Sequence, residues 1–99
     1  MSNEIDPTTK YLCNPDVVLR EEDEYGGLLY NPDTNQVKIV NTTALFIWKQ
    51  FGLPNSPLSV AEALMREFEG APDNEVQKDV NDLLSELVAE GFIGVVEKE

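Results

Sequence analysis

Apolar residues change their period along the chain, and the changes mark its elements. Val17-Val18-Leu19 opens a short β-rich run that continues to Glu21. Glu21-Glu22-Asp23-Glu24 is poor in strand formers and reads as the turn that follows. Tyr25-Gly26-Gly27-Leu28-Leu29-Tyr30 is a second strand, whose glycine pair permits a tight or bulged entry. Asn31-Pro32-Asp33-Thr34-Asn35 is dense in turn formers. Gln36-Val37-Lys38-Ile39-Val40 is a third strand, alternating Val37 and Ile39 against Lys38. Short loops between consecutive strands imply an antiparallel meander.

After Val40 the period becomes helical. Asn41 or Thr42 can cap a helix by accepting an orphan backbone N–H. Ala44, Leu45, Ile47, Trp48 and Phe51 form one stripe, stopped by Gly52 and Pro54. Ser59-Val60-Ala61-Glu62 reads as a capping box, with Ser59 at the cap. Val60, Ala61, Leu64, Met65 and Phe68 make a second stripe, closed by Gly70. Pro72-Asp73 starts the longest helix, with Asp73 as cap and Gly91 as the left-handed residue that ends it. Its stripe runs from Leu83 through Val76 and Leu87 to Val88. One border is acidic, with Asp79, Glu86 and Glu90; the other fades through Leu84 into uncharged Gln77, Asn81 and Ser85. Phe92 to Val96 reads as a short final strand. The expected fold class is α+β, a three-stranded antiparallel sheet followed by three helices on one face. Trp48, Leu64, Phe68, Leu83 and Leu87 are its expected shared core.

Residues 1–16 are polar and aperiodic, with Pro7, Asn14 and Pro15. They divide the chain into a flexible arm (1–15), one domain (16–96) and a polar tail (97–99). No signal peptide or apolar run of membrane-spanning length is visible, so a cytoplasmic protein is expected.

Composition narrows the chemistry. Among 99 residues, 19 Asp and Glu outnumber 7 Lys and Arg, for a formal charge of −12. A surface of that sign repels phosphate, so neither nucleic acid nor an anionic membrane is the expected partner. There is no histidine, which removes the commonest general base and every His-ligated metal. Cys13 stands alone and reads as an incidental thiol in the arm. The acidic run at 21–24 and the turn at 31–35 lack the ligand spacing and glycine of a calcium loop. Gly26-Gly27 lacks the lysine and further glycines of a phosphate loop. Trp48 sits in a core stripe. No enzyme, metal or cofactor is expected.

The third strand is different. In a three-strand meander it lies at an edge, and an uncovered edge invites another strand. It carries only one charge, Lys38, and no proline. Either the chain's own arm or final strand covers this edge, or a partner does. The neutral border of the long helix either lines an adjoining groove that a partner fills or simply widens the core face.

The series Gly27-Leu28-Leu29-Tyr30, Val37-Lys38-Ile39-Val40-Asn41-Thr42-Thr43-Ala44, Ile47-Trp48, Ser59-Val60-Ala61-Glu62-Ala63-Leu64, Asp79-Val80 with Leu83-Leu84, and Gly91-Phe92-Ile93 resembles the PqqD family. These are pyrroloquinoline quinone biosynthesis protein D-like recognition elements of ribosomally made, post-translationally modified peptides. The Gly52 to Pro57 linker departs from the short Asp-Gly turn of many members. The resemblance implies a winged-helix-like domain without catalysis. It would bind the leader segment of a precursor peptide as an added strand and present it to a modifying enzyme, often a radical S-adenosylmethionine enzyme. The expected peptide-binding residues are Gln36, Val37, Lys38, Ile39 and Val40 on the strand, with Gln77, Asn81, Leu84 and Val88 on the helix. A monomer or weak dimer is expected. Two other classes share the element list: a winged-helix DNA-binding regulator, and a small acidic inhibitor or scaffold for a basic protein. The regulator would want a basic third helix. Here Lys78 stands against Glu75, Asp79, Asp82, Glu86 and Glu90.

Overall fold

A computed structural model gives the fold; it describes residues 5–6, 8–22, 24, 26–68 and 73–96. Residues 1–4 and 7 of the expected arm, Tyr25, Gly70, Pro72, the capping side chain of Asp73 and the tail at 97–99 lie outside the described residues. The elements run β1 (Tyr11–Cys13), β2 (Val18–Glu22), β3 (Gly26–Asn31), β4 (Gln36–Val40), α1 (Thr42–Gln50), α2 (Pro57–Glu67), α3 (Asp73–Ala89) and β5 (Ile93–Val95). This is the expected α+β order of a meander followed by three helices, with β1 added. The antiparallel sheet has the order β2-β3-β4. Glu21 and Glu22 belong to β2 rather than to the turn, because they pair with Gly27 and Gly26.

Organised structure starts earlier than Asp16. β1 pairs antiparallel with β5, Tyr11 opposite Val95 and Cys13 opposite Ile93. Its other side bonds the loop after α1: Tyr11 and Asn55 exchange backbone bonds of 2.8 and 3.1 Å, and Cys13 N–H donates to the Phe51 carbonyl at 2.8 Å. The Tyr11 ring is buried edge-on to Phe51, centroids 6.4 Å apart. Three residues are too few to show a period, so this strand exists through its partners.

Helix ends follow local chemistry. The Asn41 side chain accepts from Ala44 N–H at 2.8 Å, as the sequence suggests. The α2 cap is Ser56 rather than Ser59: its side chain accepts from Ser59 N–H at 3.2 Å. Pro57 then takes the first helical position, where its fixed φ suits the helix and no N–H is needed. α3 closes at Gly91 with φ of 82°. Phe92 N–H returns to the Leu87 carbonyl and Gly91 N–H to that of Val88, and Leu87 and Phe92 are both buried. That double closure satisfies carbonyls that a helix end leaves free.

One core joins all layers. Leu29 and Val40 bring it the sheet, Ile47, Trp48 and Phe51 bring α1, and Val60 and Leu64 bring α2. Val80, Leu84 and Leu87 bring α3, each fully buried. Two expected core residues differ. Leu83 is half-buried, and Phe68, at the end of α2, stays 40 % exposed with its ring edge-on to Phe46. Buried Asn31 ties the layers: its amide donates to the Gly91 carbonyl at 3.1 Å while its Oδ1 accepts from Asp33 N–H at 2.9 Å. A buried amide satisfied on both ends is a fixed point rather than a cost.

Leu87→Ala should destabilise the fold by about 2–5 kcal/mol, read as a lowered midpoint in a urea titration. An unchanged midpoint would place Leu87 outside the core.

Candidate functional site

The pairing of β1 with β5 leaves β4 as an outer strand of the three-stranded sheet. The missing side chain of Gly26 admits the Val40 carbonyl oxygen, which therefore points inward toward β3. Backbone groups alternate sides from residue to residue along a strand. Val40, Lys38 and Gln36 therefore bond β3, opposite Gly27, Leu29 and Asn31. Val37 and Ile39 direct their N–H and C=O groups to the free edge.

Side chains alternate too. Val40 is buried and Lys38 is half-buried on the inner face, while Val37 and Ile39 are exposed on the outer face, Ile39 at 82 %. The most polar residue of β4 thus faces in. Its ammonium bonds Glu86 at 2.9 Å and Glu90 at 3.2 Å on α3, with its side chain 20 % exposed. The stem covers apolar surface and the head finds two carboxylates. The Glu86 hydrogen bond, aided by Glu90 and opposed by partial burial, raises the Lys38 pKa above the ordinary lysine range.

This bridge identifies which face of α3 meets β4: the acidic border. A cleft of about 300 Å³ lies there, lined by Asn41, Thr43, Ala44, Ile47, Asp79, Asp82, Leu83 and Glu86. A smaller hollow of about 180 Å³ adjoins it, sharing Thr43 and Asp79 and adding Leu64, Phe68 and Val76. The expected helix residues are elsewhere. Gln77 and Asn81 line a shallow dip with Pro57 and Leu58. With Val88 they sit about 160–200° around the helix from Asp79. Leu84 is fully buried and lines no groove. The neutral border faces α2 because the core stripe is centred on Val80 and Leu87, which turns the charged border to the sheet. Leu83, at the edge of that stripe, is the apolar residue that the cleft shares with α1.

Other candidate chemistry stays quiet. The Cys13 thiol is half-buried in β1 and donates to the Trp48 carbonyl at 3.2 Å. Burial pushes its pKa up to about 12, far from thiolate reactivity. Among the described residues no group of His, Cys, Asp and Glu is arranged to hold a metal, and no helix is long and apolar enough to cross a membrane.

The Lys38 bridge stabilises the fold while the lysine is charged. A folded pKa above the unfolded value of about 10.4 keeps the contribution whole at neutral pH and loses it as pH rises through the folded pKa. The urea midpoints of Lys38→Met and the native protein should therefore differ at pH 7, and the gap should narrow as the pH rises above the ordinary lysine range. A gap that does not narrow would mean that the charge is idle.

Comparison places this geometry among known proteins. The family model for Coenzyme PQQ synthesis protein D (PqqD) matches residues 26–93. No curated protein sequence matches the chain significantly. Similar solved structures include a lasso peptide synthetase B1 complexed with the leader peptide, at TM-score 0.71 and 24 % identity, covering 84 % of this chain and 95 % of that one. TbiB1 in complex with the TbiA(beta) leader peptide superposes at TM-score 0.75 and 17 % identity, covering 88 % and 99 %. The PqqD truncation of Methylobacterium extorquens PqqCD, described as a functional, stand-alone recognition element, superposes at TM-score 0.75 and 16 % identity, covering 94 % and 98 %. The match from β3 to β5 includes the β4 edge, the cleft and the bridge between them, and by it the chain belongs to the PqqD family.

Proposed function

We propose that the protein binds the leader segment of a ribosomally made precursor peptide as a strand added to β4, and presents it to a modifying enzyme without catalysis of its own. The observation that carries this is the unpaired backbone of Val37 and Ile39 beside an open cleft. Strand addition draws affinity from main-chain hydrogen bonds and sequence preference from pockets for alternate side chains. Two proteins of similar fold were solved with leader peptides bound, which supports the same use here. The receiving enzyme is read as a radical S-adenosylmethionine enzyme, the partner that the family resemblance implies.

On this reading Gln36 to Val40 supply the edge, and inward side chains of the leader meet Ala44, Ile47 and Leu83 in place of Gln77, Asn81, Leu84 and Val88. A few ladder bonds and one or two apolar anchors are consistent with micromolar binding, about −8 kcal/mol.

The test is an NMR titration of the labelled protein with peptides selected on it from a random display library. Amide shifts at 36–47 and 79–86 are expected; shifts centred on the Gly52 to Pro57 linker would overturn the reading. Proline separates edge from fold. Ile39→Pro removes an outward N–H, so the dispersed spectrum should persist while affinity falls at least about tenfold. Lys38→Pro removes a bond to β3 and should unfold the sheet.

A further inference from the structure

Resting on that strand-addition reading, we infer that the peptide taken by the cleft is basic and amphipathic. Its inward positions carry an aliphatic side chain over Leu83 and Ile47, a Lys or Arg beside Asp79, and a second apolar side chain in the hollow at Phe68.

Direction comes first. Lys38 bonds Glu86 and Glu90, whereas Asn41, farther along the chain, lines the cleft with Asp79 and Asp82. β4 therefore runs antiparallel to α3, and a strand beside β4 follows the length of the cleft. Leu83 and Asp79 are four helical residues apart, about 6 Å. Same-face neighbours in a strand are two residues apart, about 6.8 Å. An inward residue over Leu83 thus puts the next inward residue near Asp79. The one after it lies toward the hollow of Leu64, Phe68 and Val76.

Charge selects the middle position. The carboxylates lining the cleft are Asp79, Asp82 and Glu86, and no cation lines it. Glu86 is held by Lys38 at 2.9 Å and Asp82 by Lys78 at 2.7 Å. Asp79 forms no salt bridge among the described residues, and Thr43 and Val76 beside it carry no charge. An incoming strand covers it and lowers the local dielectric, so a lysine or arginine there is favoured and a carboxylate repelled. The ends of the site are apolar: Ala44, Ile47 and Leu83 at one, the exposed Phe68 ring at the other.

A second copy of the chain is a poor occupant. Two β4 strands pairing through Val37 and Ile39 about a two-fold axis would set Lys38 opposite Lys38, between molecules of charge −12 each. Like charges directly opposite destabilise a strand pair. A basic peptide meets the opposite field and gains association rate from it.

The test uses a random display library of peptides about ten residues long, enough to span β4 and the cleft at about 3.4 Å per residue. Selection on the intact protein should enrich Lys or Arg two positions from an aliphatic residue. Asp79→Lys, an exposed substitution outside the core, should weaken the selected peptides about five- to tenfold at low salt, and Asp79→Asn less. Phe68→Ala should weaken them about fivefold. Peptides that shift the β4 amides but carry no basic enrichment, or bind Asp79→Lys as well as the native protein, would overturn the basic class and leave strand addition standing. Unchanged affinity in Phe68→Ala would overturn the second anchor. If no selected peptide shifts β4, strand addition falls and this inference with it.

Discussion

The pairing of Tyr11–Cys13 with Ile93–Val95 decides what the rest of the molecule can do. A three-stranded sheet has two edges, and a chain with five strands could cover both. Here the first and last strands take each other instead, fastened by the buried Tyr11 ring against Phe51 and by backbone bonds to Phe51 and Asn55. The small sheet seals the end of the core where α1 and α3 finish. Its cost is an unpaired β4, which proteins usually avoid through charge, proline or cover. Retaining such an edge with Val37 and Ile39 exposed on it is understandable when the edge is the working surface.

The Lys38 bridge keeps that surface usable. An edge strand held by one neighbour is free to twist or fray. Glu86 and Glu90 grip the inward lysine and hold β4 at a set distance from α3. The same bridge neutralises part of an acidic border that would otherwise repel itself. Asn31, bonded to Gly91 and to the turn after β3, fastens the same C-terminal end of α3 to the sheet. From these ties the cleft runs toward the N-terminal half of α3 over a floor of Ala44, Ile47 and Leu83 that the core already holds, a shape in place before any strand enters it. Preorganisation of this kind lowers the ordering cost of binding.

The acidity that argues against nucleic acid gains a positive role in this picture. A charge of −12 on 99 residues works against compactness. Spread over the surface it keeps copies apart, which matters for a protein with a bare strand edge. Concentrated along α3, through Asp79, Asp82 and Glu86, it gives the cleft a sign.

Much of the fold was legible in local pattern. The change from period two to helical period after Val40, the Asn41 cap and the Gly91 closure are local events, and each element they predict is present. The edge position of β4 followed from meander topology, whereas its being uncovered follows from the pairing of β1 with β5. What local pattern lacks is phase and partnership. It showed that α3 has a stripe with one acidic and one neutral border, yet not which border meets the sheet. Only packing settles that, by centring the core on Val80 and Leu87, which buries Leu84 and turns Gln77 and Asn81 toward α2. The alternation of β4 marked Lys38 as the odd residue, yet an inward lysine depends on two carboxylates some fifty positions later. β1 is too short to carry a period and exists because β5 and Asn55 are there to bond it. The sequence alone determined the later strands and helices, their order and the edge position of β4, because these depend on near neighbours. Tertiary structure decided faces, pairings and the lining of the cleft, because these depend on contacts between residues far apart in the chain.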